Sequence, residues 1–198
     1  MALSKIQAES MNLADTFAFT GTVSGAGSME YITTASGSTD VSQLEISVDY
    51  SDYEHFVLIM DAKGDSTGTT KNLHMRFKRD GQSTFDSAAN NYSTSGFSYD
   101  GSANRNQNGI TQMEIFWSNE PAKDWAHKIN LWNIGNTTHQ NFVEAASIKA
   151  QSSGNASYVT NSAINGSTNS NRIISLLFFY SAGNIASYDY QLYGIKTS

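Results

Sequence analysis

The chain has 198 residues, a net charge of −6, one proline and no cysteine. That length suits one domain with a real core, and the missing thiols exclude disulfides, thiolate metal sites and cysteine nucleophiles. Charged residues make up 15 %, against ~25 % in an average soluble domain; abundant aromatic rings argue against disorder, and the acidic balance argues against non-specific binding to nucleic acid or an acidic membrane.

No run of about 18 apolar residues suggests a membrane span. Residues 1–15 lack a basic stretch followed by an apolar one, so no secretory leader is expected. Leu3, Ile6, Met11 and Leu13 are irregularly spaced, as in one or two helical turns or a simple apolar anchor. Phe17, Phe19 and Val23 then alternate, which predicts a strand or an extended arm. Residues 24–42 read as loop, with a short strand at Met29–Thr33. Leu44, Ile46, Val48 and Tyr50 alternate with polar residues and predict a half-buried strand. Phe56–Met60 is apolar on both faces, as in a central strand. Leu73, Met75 and Phe77 form another alternating set, closed by the turn signal Asp80-Gly81.

Residues 86–109 form a long polar stretch broken by Tyr92, Phe97 and Tyr99. Strands are then predicted over Ile110–Trp117, Lys128–Ile134, Phe142–Lys149, Ser157–Thr160, Ile173–Tyr180 and Tyr188–Ile195. About nine short strands, with few segments of helical period and none as long as an average helix, imply an all-β fold. An antiparallel jelly-roll β-sandwich (residues 25–198) preceded by an extended N-terminal arm (residues 1–24) is the economical answer. With few lysines to guard strand edges, some edges are expected to be covered by a neighbouring subunit.

Few residues carry a chemical pattern. The four histidines (His55, His74, His127, His139) have no metal spacing and read as structural or surface groups. Asp61–Asp65 and Asp100–Asn106 offer loop oxygens but not a calcium-loop pattern, so they read as Asx turns. No catalytic residue, metal site or cofactor site is assigned. Glu45 and Glu114 fall on outward-facing positions, where acids are solvated. His74, Arg76, Lys78 and Arg79 form a basic stripe that suits a solvated sheet face or an acidic partner. Trp132, with Tyr92 and Tyr99, is a candidate glycan contact, because sugar faces stack on rings; Trp117 shares a face with Met113 and Ile115 and reads as core.

Three stretches carry a resemblance. They are the opening Met1–Ile6 with Asn12–Ser24; the run Tyr53–Met60, Leu73–Phe77, Asp80–Phe85 and Tyr92; and the ending Phe178–Ile185 with Leu192-Tyr-Gly-Ile-Lys196. Their order resembles accessory virion structural proteins, of capsid-decoration or fibre type, from marine tailed bacteriophages. Gln82 stands where those proteins usually carry a second turn glycine.

The resemblance implies a non-enzymatic building block of a virus particle, a capsid decoration or cement protein or a short head fibre. It would be assembled in the host bacterial cytoplasm, as a homo-oligomer, most often a trimer. Leu3, Ile6, Met11, Leu13, Phe17 and Phe19 would attach it to the major capsid protein or another virion protein, by strand addition. The alternative is a tail-associated module that binds a receptor or a host surface glycan. A glycan-degrading enzyme on the same fold is a third reading.

Overall fold

The computed structural model describes residues 29–66, 72–89, 91–98, 105–116, 124–135, 137, 139, 141–150, 156–165 and 171–196. The arm, residues 1–24, lies outside them, and so do Tyr99 and Trp117. Among the described residues every regular element is a strand. Twelve occur in chain order: β1 Met29–Gly37, β2 Leu44–Ser47, β3 Tyr53–Gly64, β4 Leu73–Arg79, β5 Tyr92–Ser98, β6 Arg105–Ile110, β7 Met113–Phe116, β8 Asp124–Trp132, β9 Phe142–Ala150, β10 Ala156–Asn165, β11 Ile173–Tyr180 and β12 Ile185–Lys196.

They form an all-β, fully antiparallel pair of sheets. The larger has the order β1-β12-β3-β8-β9-β10-β5-β6 and the smaller β2-β11-β4-β7. Period-two burial places the core between them. Phe56, Leu58 and Met60 of β3, Ile129 and Leu131 of β8 and Leu192 of β12 turn inward from the large sheet. Ile46, Met75, Phe77, Leu176 and Phe178 turn inward from the small one, and all are buried. Strand β7 also packs against β5, β9 and β10, so the far half of the large sheet closes over it.

Three differences from the sequence reading have physical causes. First, β5 and β6 lie in what reads as a polar stretch, and Tyr92 heads β5. Second, β3 is central as expected, but its odd-numbered side is not buried: Ile59 remains 47 % exposed. Third, Arg79 is no part of a solvated stripe. It follows Phe77 at period two and so faces the core, where it is fully buried. Its guanidinium donates to the Asn171 carbonyl at 2.6 Å and to Asn141 Oδ1 at 3.0 Å, and lies 3.5 Å from the Asp86 carboxylate. Burial pulls the Arg79 pKa down, and Asp86 opposes that. This pairing ties the β4–β5 connection to the segments preceding β9 and β11.

Close backbone approach explains one residue of the ending. A β-carbon on Gly194 would run into the ring of Tyr53, which covers this point of β12. The same ring carries a hydroxyl that donates to Glu30 at 2.7 Å, and Lys196 donates to Glu30 at 2.8 Å. These bonds hold the Glu30 carboxyl below the usual range, that from Lys196 most of all. They join β1, β3 and β12 at one end of the sandwich.

Candidate interaction surface

The two outer faces of the sandwich differ in chemistry. On the small sheet, outward residues are satisfied locally. Lys78 donates to Glu45 at 2.7 Å, as does the Ser175 hydroxyl. Those bonds, with Lys78 foremost, hold the Glu45 carboxyl low. Lys78 also lies over the Phe85 ring, and Arg76 over Phe179, both at 4.9 Å. Arg76 donates to Gln112 as well, at 3.0 Å. His74 lies 3.9 Å from Glu114, and both are buried. Glu114 is therefore not a solvated acid. The residues of the expected basic stripe are each engaged within the chain, which leaves little of a patch for an acidic partner.

The outer face of the large sheet is different. Register alone builds it. Met29 lies beside Ile195, Ile195 beside His55, and Trp132 beside Phe142. The His55 ring meets Trp132 edge-on at 5.4 Å. Its Nδ1 accepts the Asn133 N–H at 3.0 Å, with Asn133 in the left-handed region at φ 60°, and this fixes the ring. The next row runs Tyr31, Tyr193, Val57, Asn130 and Glu144. Tyr31 and Tyr193 pack edge to face at 5.9 Å. Ile59, Lys128 and Ala146 follow, then Asp189, Asp61, Ala126 and Ile148.

All six large apolar side chains exposed among the described residues belong to this sheet: Met29, Tyr31, Ile59, Trp132, Phe142 and Ile148. Tyr31 is 57 % and Ile148 51 % exposed. Together the six offer on the order of 600 Å² to solvent, the upper end of what a monomer shows in one patch. At the far end of the face, Asp61, Lys63, Ala126, Ile148, Ser187 and Asp189 surround an open groove of about 550 Å³. Asp61 and Asp189 lie directly opposite in register.

The predicted glycan contacts do not come together. Trp132 is on the surface, 40 % exposed. Tyr92 is corrected to a core residue. Its ring is fully buried, and its hydroxyl accepts the Phe77 N–H and donates to the Asp86 carbonyl, each at 3.0 Å. Tyr99 and the arm residues Leu3, Ile6, Met11, Leu13, Phe17 and Phe19 lie outside the described residues.

Asp61 to Gly64 is strand, not a turn, and the Asp65 carboxylate accepts the Asn184 N–H at 2.7 Å. Among the described residues no group of three His, Cys, Asp or Glu is placed to hold a metal ion. His127 is fully buried with Nδ1 2.7 Å from the Ser147 hydroxyl, and burial pushes its pKa down to about 3. It is a neutral core group. The apolar face as a whole was the surface that sequence reasoning missed. Its signal was present in Val57 and Ile59, the second apolar side of β3. Comparison with known families, curated proteins and solved structures gives no match.

Proposed function

We propose that this chain is a non-enzymatic structural protein of a bacteriophage particle, a capsid decoration or cement protein or a short head fibre, working by adhesion. The observation that carries this reading is the broad apolar outer face of the large sheet, a surface suited to sticking. The resemblance of the opening, the β3–β4 segments and the ending supplies the virion context.

The fold proposed with it is a jelly roll. The strand order supports this: β1 to β4 step alternately between sheets, as do β7 with β8 and β11 with β12. The β5–β6 and β9–β10 pairs then extend the large sheet. Residues 1–24 would anchor the protein to the major capsid protein, and the sandwich would clamp neighbours or project. A symmetric homo-oligomer, a trimer by the resemblance, is part of the proposal. Absence of cysteine suits assembly in a reducing bacterial cytoplasm.

The test is co-sedimentation of the purified chain with phage particles, with and without residues 1–16. Binding by the full chain, lost on truncation while the β-sheet circular dichroism persists, is the expected result. Equal binding by both forms would overturn the arm assignment, and no binding by the full chain would overturn the virion reading.

The exposure of Trp132 favours one second reading, a tail-associated receptor- or carbohydrate-binding module. Glycan-array signal weakened by Trp132→Ala would support it.

A further inference from the structure

We infer that the outer face of the large sheet is where copies of this chain meet one another, with Tyr31, Tyr193, Val57, Ile59, Trp132 and Phe142 at the centre of the contact. Three observations lead there. The first is the asymmetry of the sandwich. The small sheet dresses its outer face with Lys78–Glu45, Arg76 over Phe179 and His74 beside Glu114. The large sheet places isoleucine, tyrosine, tryptophan and phenylalanine at equivalent outward positions.

The second is area. The exposed apolar surface is of the same order as the ~800 Å² that each partner contributes to a stable protein interface. A single bound sugar ring would cover only a fraction of it.

The third is shape. The same face carries projections and recesses side by side. Ile148 stands across from Ala126, and Lys128 across from Ala146. Such a surface can receive its own protrusions.

An area of this size is what a stable dimer needs from each copy, so the occupant is another copy of this chain, packed on this face, and not the edge-on addition of a strand. The inference concerns self-association only and does not depend on a virion setting.

The experiment measures the mass of the full chain in solution by light scattering, at tens of micromolar. A multiple of 21.6 kDa is expected. Ile59→Lys and Trp132→Lys, both at exposed positions, should each return it to 21.6 kDa with the far-ultraviolet spectrum unchanged. Ser47→Lys, outward on the small sheet, should leave the multiple intact. A second readout uses the cysteine-free background: the single thiol of Ile59→Cys should react at least tenfold more slowly with a maleimide than that of Ser47→Cys. A monomeric chain, or an oligomer that keeps its mass in both lysine variants, overturns the inference. Equal thiol reactivity does the same, even if the lysine variants misfold.

Discussion

The hydroxyl of Tyr92 accepts the backbone N–H of Phe77 at 3.0 Å, inside the core. It also donates to the carbonyl of Asp86, so one side chain satisfies two backbone groups of the β4–β5 connection. Burial raises the phenol pKa well above its ordinary value, so it stays a neutral donor throughout the usual pH range. Tyr92→Phe keeps the ring and strands the Phe77 N–H. A loss of about 1–3 kcal/mol is expected in urea unfolding, with no change in any glycan-array signal.

Gly194 and Tyr53 make a second pair. Gly194→Ala drives a methyl group into the Tyr53 ring. The expected loss is about 1–3 kcal/mol. In a Tyr53→Ala background the same change should lose much less. A double-mutant cycle in urea measures that coupling, and additive losses would show the ring is not what Gly194 accommodates.

The basic residues of β4 should divide sharply. Lys78→Ala breaks a partly exposed pair with Glu45, and less than about 1 kcal/mol should go. Arg79→Ala leaves Asp86 and Asn141 facing an empty core position. About 3–5 kcal/mol should be lost. Midpoints of urea unfolding compare the two directly.

Acid should weaken the fold through one buried histidine. His127 has a folded pKa of about 3, against 6.5 for the free side chain. The unfolded chain therefore binds more protons between those values, and stability falls as pH drops from about 6.5 towards 3. The slope is about 1 kcal/mol per pH unit. Glu45 and Glu30, both held below the ordinary carboxylate range by their hydrogen bonds to lysine, add further losses at lower pH. Urea midpoints at pH 7.0, 6.0 and 5.0 isolate the histidine, and His127→Gln should flatten that part of the curve.

Legibility of the fold followed burial. Strand β11 is apolar along its length and sits between two partners, so its limits could be read directly. Strands β2 and β4 alternate cleanly, because one side of each meets the core. Strands β5 and β6 could not be read, since Tyr92–Ser98 and Arg105–Ile110 are mostly Ser, Asn, Gln and Gly. Their pairing comes from the neighbouring strand β10 and from each other, not from an apolar side. Parity could have found Arg79, two places beyond Phe77, but its charge outweighed its position. For the surface, Trp132 could be placed outward by alternation with Leu131. The band around it joins five strands that are far apart in sequence, and only the register assembles it.

The closure of β5, β9 and β10 over β7 has a consequence for misassembly. A row of unpaired N–H and C=O groups invites another chain to dock. Here β7, the outermost strand of the four-stranded layer, lies against β5, β9 and β10 of the larger one. Among the described strands, the other outermost ones are β1, β2 and β6. Of these, β2 is four residues long and begins beside Val41, which is bridged to Ile185. Among the described strands, accidental polymerisation is therefore left mainly to β1 and β6, the outermost strands of the larger layer.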